Sequence, residues 1–174
     1  MLNRVALGAW VAVMVALTTL KSFFQIGYLW KPDNQRVRDL RLVPLDEFSG
    51  GTWVGPLFEY AGNTAFFIPF GMLVFSMRRS LKATAAWGFA LSLALETAQY
   101  AFALGRTDID DLIFNTLGAL IGAAFARLCG ERFFPVWRWL ALAAAAVFLV
   151  LVILGPRLGD PNAVVDLCFN HAPC

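Results

Sequence analysis

Gly105-Arg-Thr-Asp-Ile-Asp-Asp-Leu-Ile-Phe-Asn-Thr-Leu-Gly-Ala-Leu-Ile-Gly122 sets five charged or amide side chains, Arg106, Asp108, Asp110, Asp111 and Asn115, at the head of a run that is otherwise mostly apolar as far as Ala126. Part of that polarity is helix-end chemistry. Thr107 or Asp108 can accept the free N–H groups of a following helix, and Asp110 and Asp111 fall in its first turn, where the helix dipole favours anions. Arg106 can neutralise some of their charge. Further along, Asp111, Asn115, Gly118 and Gly122 fall at i, i+4, i+7 and i+11, which puts them on one helical stripe. Glycines spaced as Gly118-x-x-x-Gly122 let a neighbouring backbone approach closely. The stretch therefore predicts a helix with a polar mouth above a packing seam.

The rest of the chain gives that helix its surroundings. Its residues are 59% hydrophobic and 15% charged, whereas soluble domains carry about 25% charged residues. The mean hydropathy is +0.66. These values predict an integral membrane protein. Apolar runs of roughly 17 to 25 residues, long enough to cross hydrocarbon as helices, occur near 4–21, 57–77, 83–104, 109–128 and 137–154. The fold class expected is all-α, a polytopic membrane helical bundle of about five transmembrane helices forming a single membrane domain over 1–174. The third and fourth runs carry polar residues and are the weaker two by hydropathy. The first has no small-residue cleavage site after it, because it leads into Lys21, Phe23 and Phe24, so it reads as a retained anchor. No internal repeat occurs, and neither a cofactor nor a nucleic-acid partner is expected.

Basic residues in the short connections give an orientation. Arg4, the group Arg78, Arg79 and Lys82, and the group Arg127, Arg132 and Arg138 belong on one side. The long 22–56 loop mixes Lys31, Arg36, Arg38 and Arg41 with Asp33, Asp39, Asp46 and Glu47, and weighs less. The expected location is the bacterial cytoplasmic membrane, multi-pass, with the N-terminus inside and the C-terminus, including tail 155–174, outside. Cys168 and Cys174 would then lie in an oxidising compartment where a disulfide persists, with unpaired thiols as the alternative. His171 between them leaves a zinc site one ligand short, so no metal is expected there.

Depth brings the polar residues of different spans together. At about 1.5 Å per residue, Asn63 lies roughly 9 Å into the second span, Gln99 and Glu96 roughly 8 and 12 Å from the end of the third, and Asn115 roughly 8 Å beyond Asp110. All enter from the same membrane surface. A carboxylate facing lipid at such depth costs a few kcal/mol, so Glu96 is expected to point into the bundle. Other features have simpler readings. Pro69 bends the second span, Trp53 with Phe23, Phe24, Tyr28 and Trp30 forms an interfacial aromatic belt, the alanine-rich run 141–146 makes a close helix contact, and Arg38 and Arg41 are a solvated face.

Four motifs in order carry a family resemblance: Leu42-Val-Pro-Leu45, Asn63-Thr-Ala-Phe-Phe-Ile-Pro-Phe-Gly71, Glu96-Thr-Ala-Gln99 and the stretch from Gly105 to Gly122. Together they resemble the VanZ-like family, named for a teicoplanin-resistance protein, over about residues 38–128. Arg41 and Leu45 stand where that family usually has Asn and Phe. The helix at 4–21 and the helix at 137–154 with its tail lie outside those motifs. The resemblance implies a small helical membrane protein of the bacterial envelope, in some members linked to reduced glycopeptide sensitivity, and it supplies no catalytic residue. The residues themselves predict a polar pocket of Asn63, Glu96, Gln99, Arg106, Asp110, Asp111 and Asn115. With Arg38, Arg41 and Arg106 nearby, such a pocket suits an anionic head group on a membrane lipid, lipid-linked envelope precursor or glycolipid, because guanidinium pairs bidentately with phosphate. Two other readings use the same residues. One is a polar network that holds the helices of a non-catalytic subunit bound to a membrane-protein partner. The other is a carboxylate enzyme, or one in which Asp108, Asp110 and Asp111 hold Mg²⁺ or Ca²⁺.

Overall fold

The apolar runs become helices α1 (Leu2–Thr19), α2 (Val54–Arg78), α3 (Leu81–Phe102), α4 (Ile109–Cys129) and α5 (Phe134–Leu158). The structure is a computed structural model and describes residues 1–19, 38–51, 53–103 and 105–158. Cys168, His171, Cys174 and the aromatic residues at 23–30 lie outside that set. Three segments are long and apolar enough to cross a membrane: Val54–Arg78, Ile109–Cys129 and Glu131–Leu151. The apolar part of α1 is shorter, at Leu2–Thr18. Although α3 has the length, it carries Thr84, Ser92 and Glu96, all buried, while Trp87, Phe89 and Leu93 face outward. Polar groups inside and large apolar groups outside is the arrangement lipid demands. This is a membrane protein with an all-α helical bundle.

Short connections fix the helix order. Arg79 closes α2 in the left-handed conformation, donating its N–H to the Phe75 carbonyl at 2.9 Å, and the Ser80 hydroxyl caps α3 by accepting from the Ala83 N–H at 3.2 Å. The third run, read as 83–104, ends slightly earlier, at Phe102. Ala103, at φ 53, terminates α3 and donates to the Gln99 and Tyr100 carbonyls, and Gly105 opens a strand. A non-glycine residue pays roughly 1–2 kcal/mol for that conformation.

Two glycine-lined faces form the seam between α2 and α4. A Cβ added at Gly118 would overlap the Thr64 carbonyl, one at Gly122 the Ile68 carbonyl, and one at Gly71 the Ala119 carbonyl. The predicted glycine stripe is therefore a packing seam, and α2 is its partner. On the other side of α2, the Trp10 indole donates to the Phe66 carbonyl at 3.3 Å and meets Phe148 edge-on. Ala141 and Ala145 are buried, as the reading of the alanine-rich run requires. Arg138 donates to Asn3 at 3.0 Å, and Arg79 pairs with Glu131. These contacts gather the starts of α1 and α5 with the end of α2 at one basic end of the bundle.

The opposite end carries an element the sequence did not announce. Strands β1 (Arg38–Arg41) and β2 (Gly105–Asp108) pair in parallel, with Arg38 opposite Gly105 and Arg41 opposite Asp108. Residues 38–41 were expected to be loop. Four residues rich in charge give too short a pattern for an alternation signal, and α2 with α3 supplies the long crossover that a parallel pair needs.

Candidate functional site

Each polar residue at the ribbon end is placed by a helix terminus or a helix face. Asp108 is the N-cap of α4, its Oδ1 accepting the Asp110 N–H at 2.9 Å. Its own N–H donates to Glu96 Oε2 at 3.1 Å, and the Thr107 hydroxyl donates to the Glu96 carbonyl at 3.3 Å. The ribbon is thereby stitched to α3. Burial, helped by the neighbouring Asp110 and Glu47 carboxylates, pushes the Asp108 carboxyl above its usual value, against the pull of the Asp110 N–H and Arg41.

Beneath the cap, three helices share one hydrogen-bonded cluster. Asn63 on α2 donates to Asp111 Oδ1 on α4. The Ser92 hydroxyl on α3 donates to the Asp111 carbonyl at 3.5 Å, and the Asn115 amide donates to Ser92 Oγ at 2.9 Å. Glu96, one turn beyond Ser92, is only 6% exposed and faces the same cluster, its Oε2 taken by the Asp108 N–H. Asn63, Glu96, Asp111 and Asn115 thus converge, as their depths required. Gln99 lies on the same helix, and its Oε1 is buried with no hydrogen-bond partner among the described residues.

Two of the predicted residues stand apart from this cluster. Asp110, 1% exposed, accepts from the Leu45 N–H at 3.1 and 2.8 Å and from the Tyr60 hydroxyl at 2.7 Å. Successive helical residues are about 100° apart around the axis, so Asp110 and Asp111 point to different neighbours. Arg106 does not neutralise them. It joins Arg41 at the rim, where both guanidiniums engage Glu47, at 3.2 and 2.9 Å, and Asp39, at 3.8 and 3.4 Å. Two cations thus face two anions, and Arg41 is not simply a solvated face. Since Asp108, Asp110 and Asp111 are each turned to a separate partner, no group of three acidic, histidine or cysteine side chains converges as a metal site among the described residues.

Ser92, Tyr60, Glu47 and the Leu45 N–H are the participants that sequence reasoning missed. Tyr60 had a usable signal, lying three residues before Asn63 on α2. Its ring stacks on Phe114 at 4.4 Å. Ser92 sits four residues before Glu96 on the same face. The backbone of Leu45 had no sequence signal at all.

The profile of the VanZ/LLP1 family matches residues 7–130. The chain belongs to the VanZ/LLP1 family. It is also similar to "Protein VanZ" of Enterococcus faecium, with 32% identity over 133 residues, covering 75% of this chain and 77% of the relative. The family match begins inside α1, ahead of the 38–128 region that holds the four motifs, and takes in every residue of the polar cluster and the glycine seam. No solved structure gives a significant match.

Proposed function

We propose that this VanZ/LLP1 protein crosses the bacterial cytoplasmic membrane several times, N-terminus inside and C-terminus outside, and binds the head group of an anionic lipid-linked envelope precursor or glycolipid at the outer leaflet. The gathering of Arg79, Arg138 and the other short-loop cations at the end opposite the ribbon supports that orientation. The observation that carries the binding reading is the single buried cluster that α2, α3 and α4 build below a rim of two guanidiniums. Side-chain exposure is 45% at Arg106, so a phosphate can reach it and replace Glu47 as its partner. Exposed ion pairs contribute about 1 kcal/mol or less, and a bidentate phosphate contact outweighs that. The unpaired Gln99 Oε1 offers an acceptor to a sugar hydroxyl or an amide N–H.

Native mass spectrometry of the purified protein tests this reading. Arg106→Ala is expected to lower retention of the lipid-linked species about tenfold through loss of a charged hydrogen bond. Glu96→Gln keeps an oxygen to accept the Asp108 N–H, and it is expected to lower retention by replacing the second carboxyl oxygen with an amide nitrogen, which only donates. A lipid profile unchanged in both variants would rule the reading out. A second reading draws on the fact that the cluster's groups bond one another, which suits a network that sets helix register in an assembly partner. That reading predicts no effect of Glu96→Gln and copurification of another membrane protein.

A further inference from the structure

At the basic end, away from the polar cluster, a groove of about 370 Å³ is bounded by Leu7 and Val11 of α1, Phe70 and Val74 of α2, and Trp87 and Leu91 of α3, with Arg78 at its edge. Its lining is apolar apart from that guanidinium. From Arg78 to Phe70 it runs along eight residues of α2, roughly 12 Å, which is most of the roughly 15 Å depth of one leaflet's hydrocarbon. Trp87 is 53% exposed, so the groove is open on the face that meets lipid. A void of this size facing acyl chains will be filled by one.

The charge at its head selects which lipid. Arg78 sits over the Trp87 ring at 5.8 Å, and Lys82 follows in the first turn of α3. Among the described residues neither makes a salt bridge, whereas Arg79 beside them is taken by Glu131. Basic residues at membrane-protein surfaces attract anionic head groups. We infer that this groove binds an anionic phospholipid of the bilayer, one acyl chain lying between α1 and α3 and the phosphate held by Arg78 and Lys82.

The test is native mass spectrometry of the full chain in detergent with phosphatidylglycerol or phosphatidylcholine added. Wild type is expected to retain phosphatidylglycerol at least about fivefold better, and Arg78→Gln or Lys82→Gln to cut that preference about fivefold each. Ala90→Phe, which fills the groove from α3, is expected to lower retention of both lipids. Both glutamine substitutions are at exposed positions, and Arg78→Gln gives up only the guanidinium over the Trp87 ring, so they decide the matter even if Ala90→Phe misfolds. Equal retention of the two lipids by wild type overturns the inference. So does a phosphatidylglycerol preference lost in Arg106→Ala but kept in Arg78→Gln, which would move the anionic lipid to the ribbon end.

Discussion

Gly122→Ala is expected to abolish the packing of α4 on α2 and leave little folded protein in detergent. The added Cβ would overlap the carbonyl oxygen of Ile68, and a helix backbone cannot turn aside as a side chain can. Overpacking a well-filled interior costs about 1–3 kcal/mol, and a clash with backbone on both sides of the seam lies at or above the top of that range. Gly118→Ala meets the Thr64 carbonyl and is expected to behave alike. Gly62, elsewhere on α2, has nothing within 4 Å of an added Cβ. Gly62→Ala is therefore the control, and it should stabilise the helix by up to about 1 kcal/mol. Fluorescence-detected size exclusion and thermal melting measure all three. A folded, monodisperse Gly122→Ala protein melting with wild type would show that the helices are not held at this distance.

Asp110→Ala is expected to release the ribbon-end loop. The carboxylate is the acceptor for both the Leu45 N–H and the Tyr60 hydroxyl, and each buried donor left without an acceptor costs about 1–3 kcal/mol. Leu45 is held at φ 62, a conformation costing roughly 1–2 kcal/mol in a non-glycine residue. Loss of the bond to Asp110 removes one restraint on that conformation and leaves the Phe48 N–H to the Leu45 carbonyl, at 3.1 Å, as another. Tyr60→Phe removes one donor and keeps the ring stacked on Phe114, so its expected cost is only about 1 kcal/mol. In the Asp110→Ala background the same change should cost almost nothing, since its partner is already gone. Limited proteolysis within residues 38–51, read beside thermal melting, checks both statements. Protection of that segment unchanged in Asp110→Ala would contradict the anchoring role.

The Asp110 and Asp111 pair marks the boundary between what was legible in the sequence and what was not. Spacing places both in the first turn of α4, and composition places both near a membrane surface. One step of rotation then sends Asp110 to Tyr60 and Leu45 and Asp111 to Asn63. Rotation about the helix axis depends on which helix is packed against which face, and that is a long-range property. Arg106 gives the same lesson. Sequence proximity favours the aspartates just after it, but the ribbon register sets it opposite Asp39 and close to Glu47.

By itself the sequence determined the membrane class, the five helical runs to within a few residues, a cap at Thr107 or Asp108, the glycine stripe of α4 and the common depth of Asn63, Glu96 and Asn115. All of these follow from composition, local periodicity and a fixed rise per residue. Only the tertiary structure decided that α2 is the partner of that stripe, that β1 and β2 pair across about 65 residues of chain, and that each carboxyl at the ribbon end has its own donor. Hydropathy carries how deep a residue lies but not which way it faces, and pairings between distant segments are fixed by packing that no local pattern encodes.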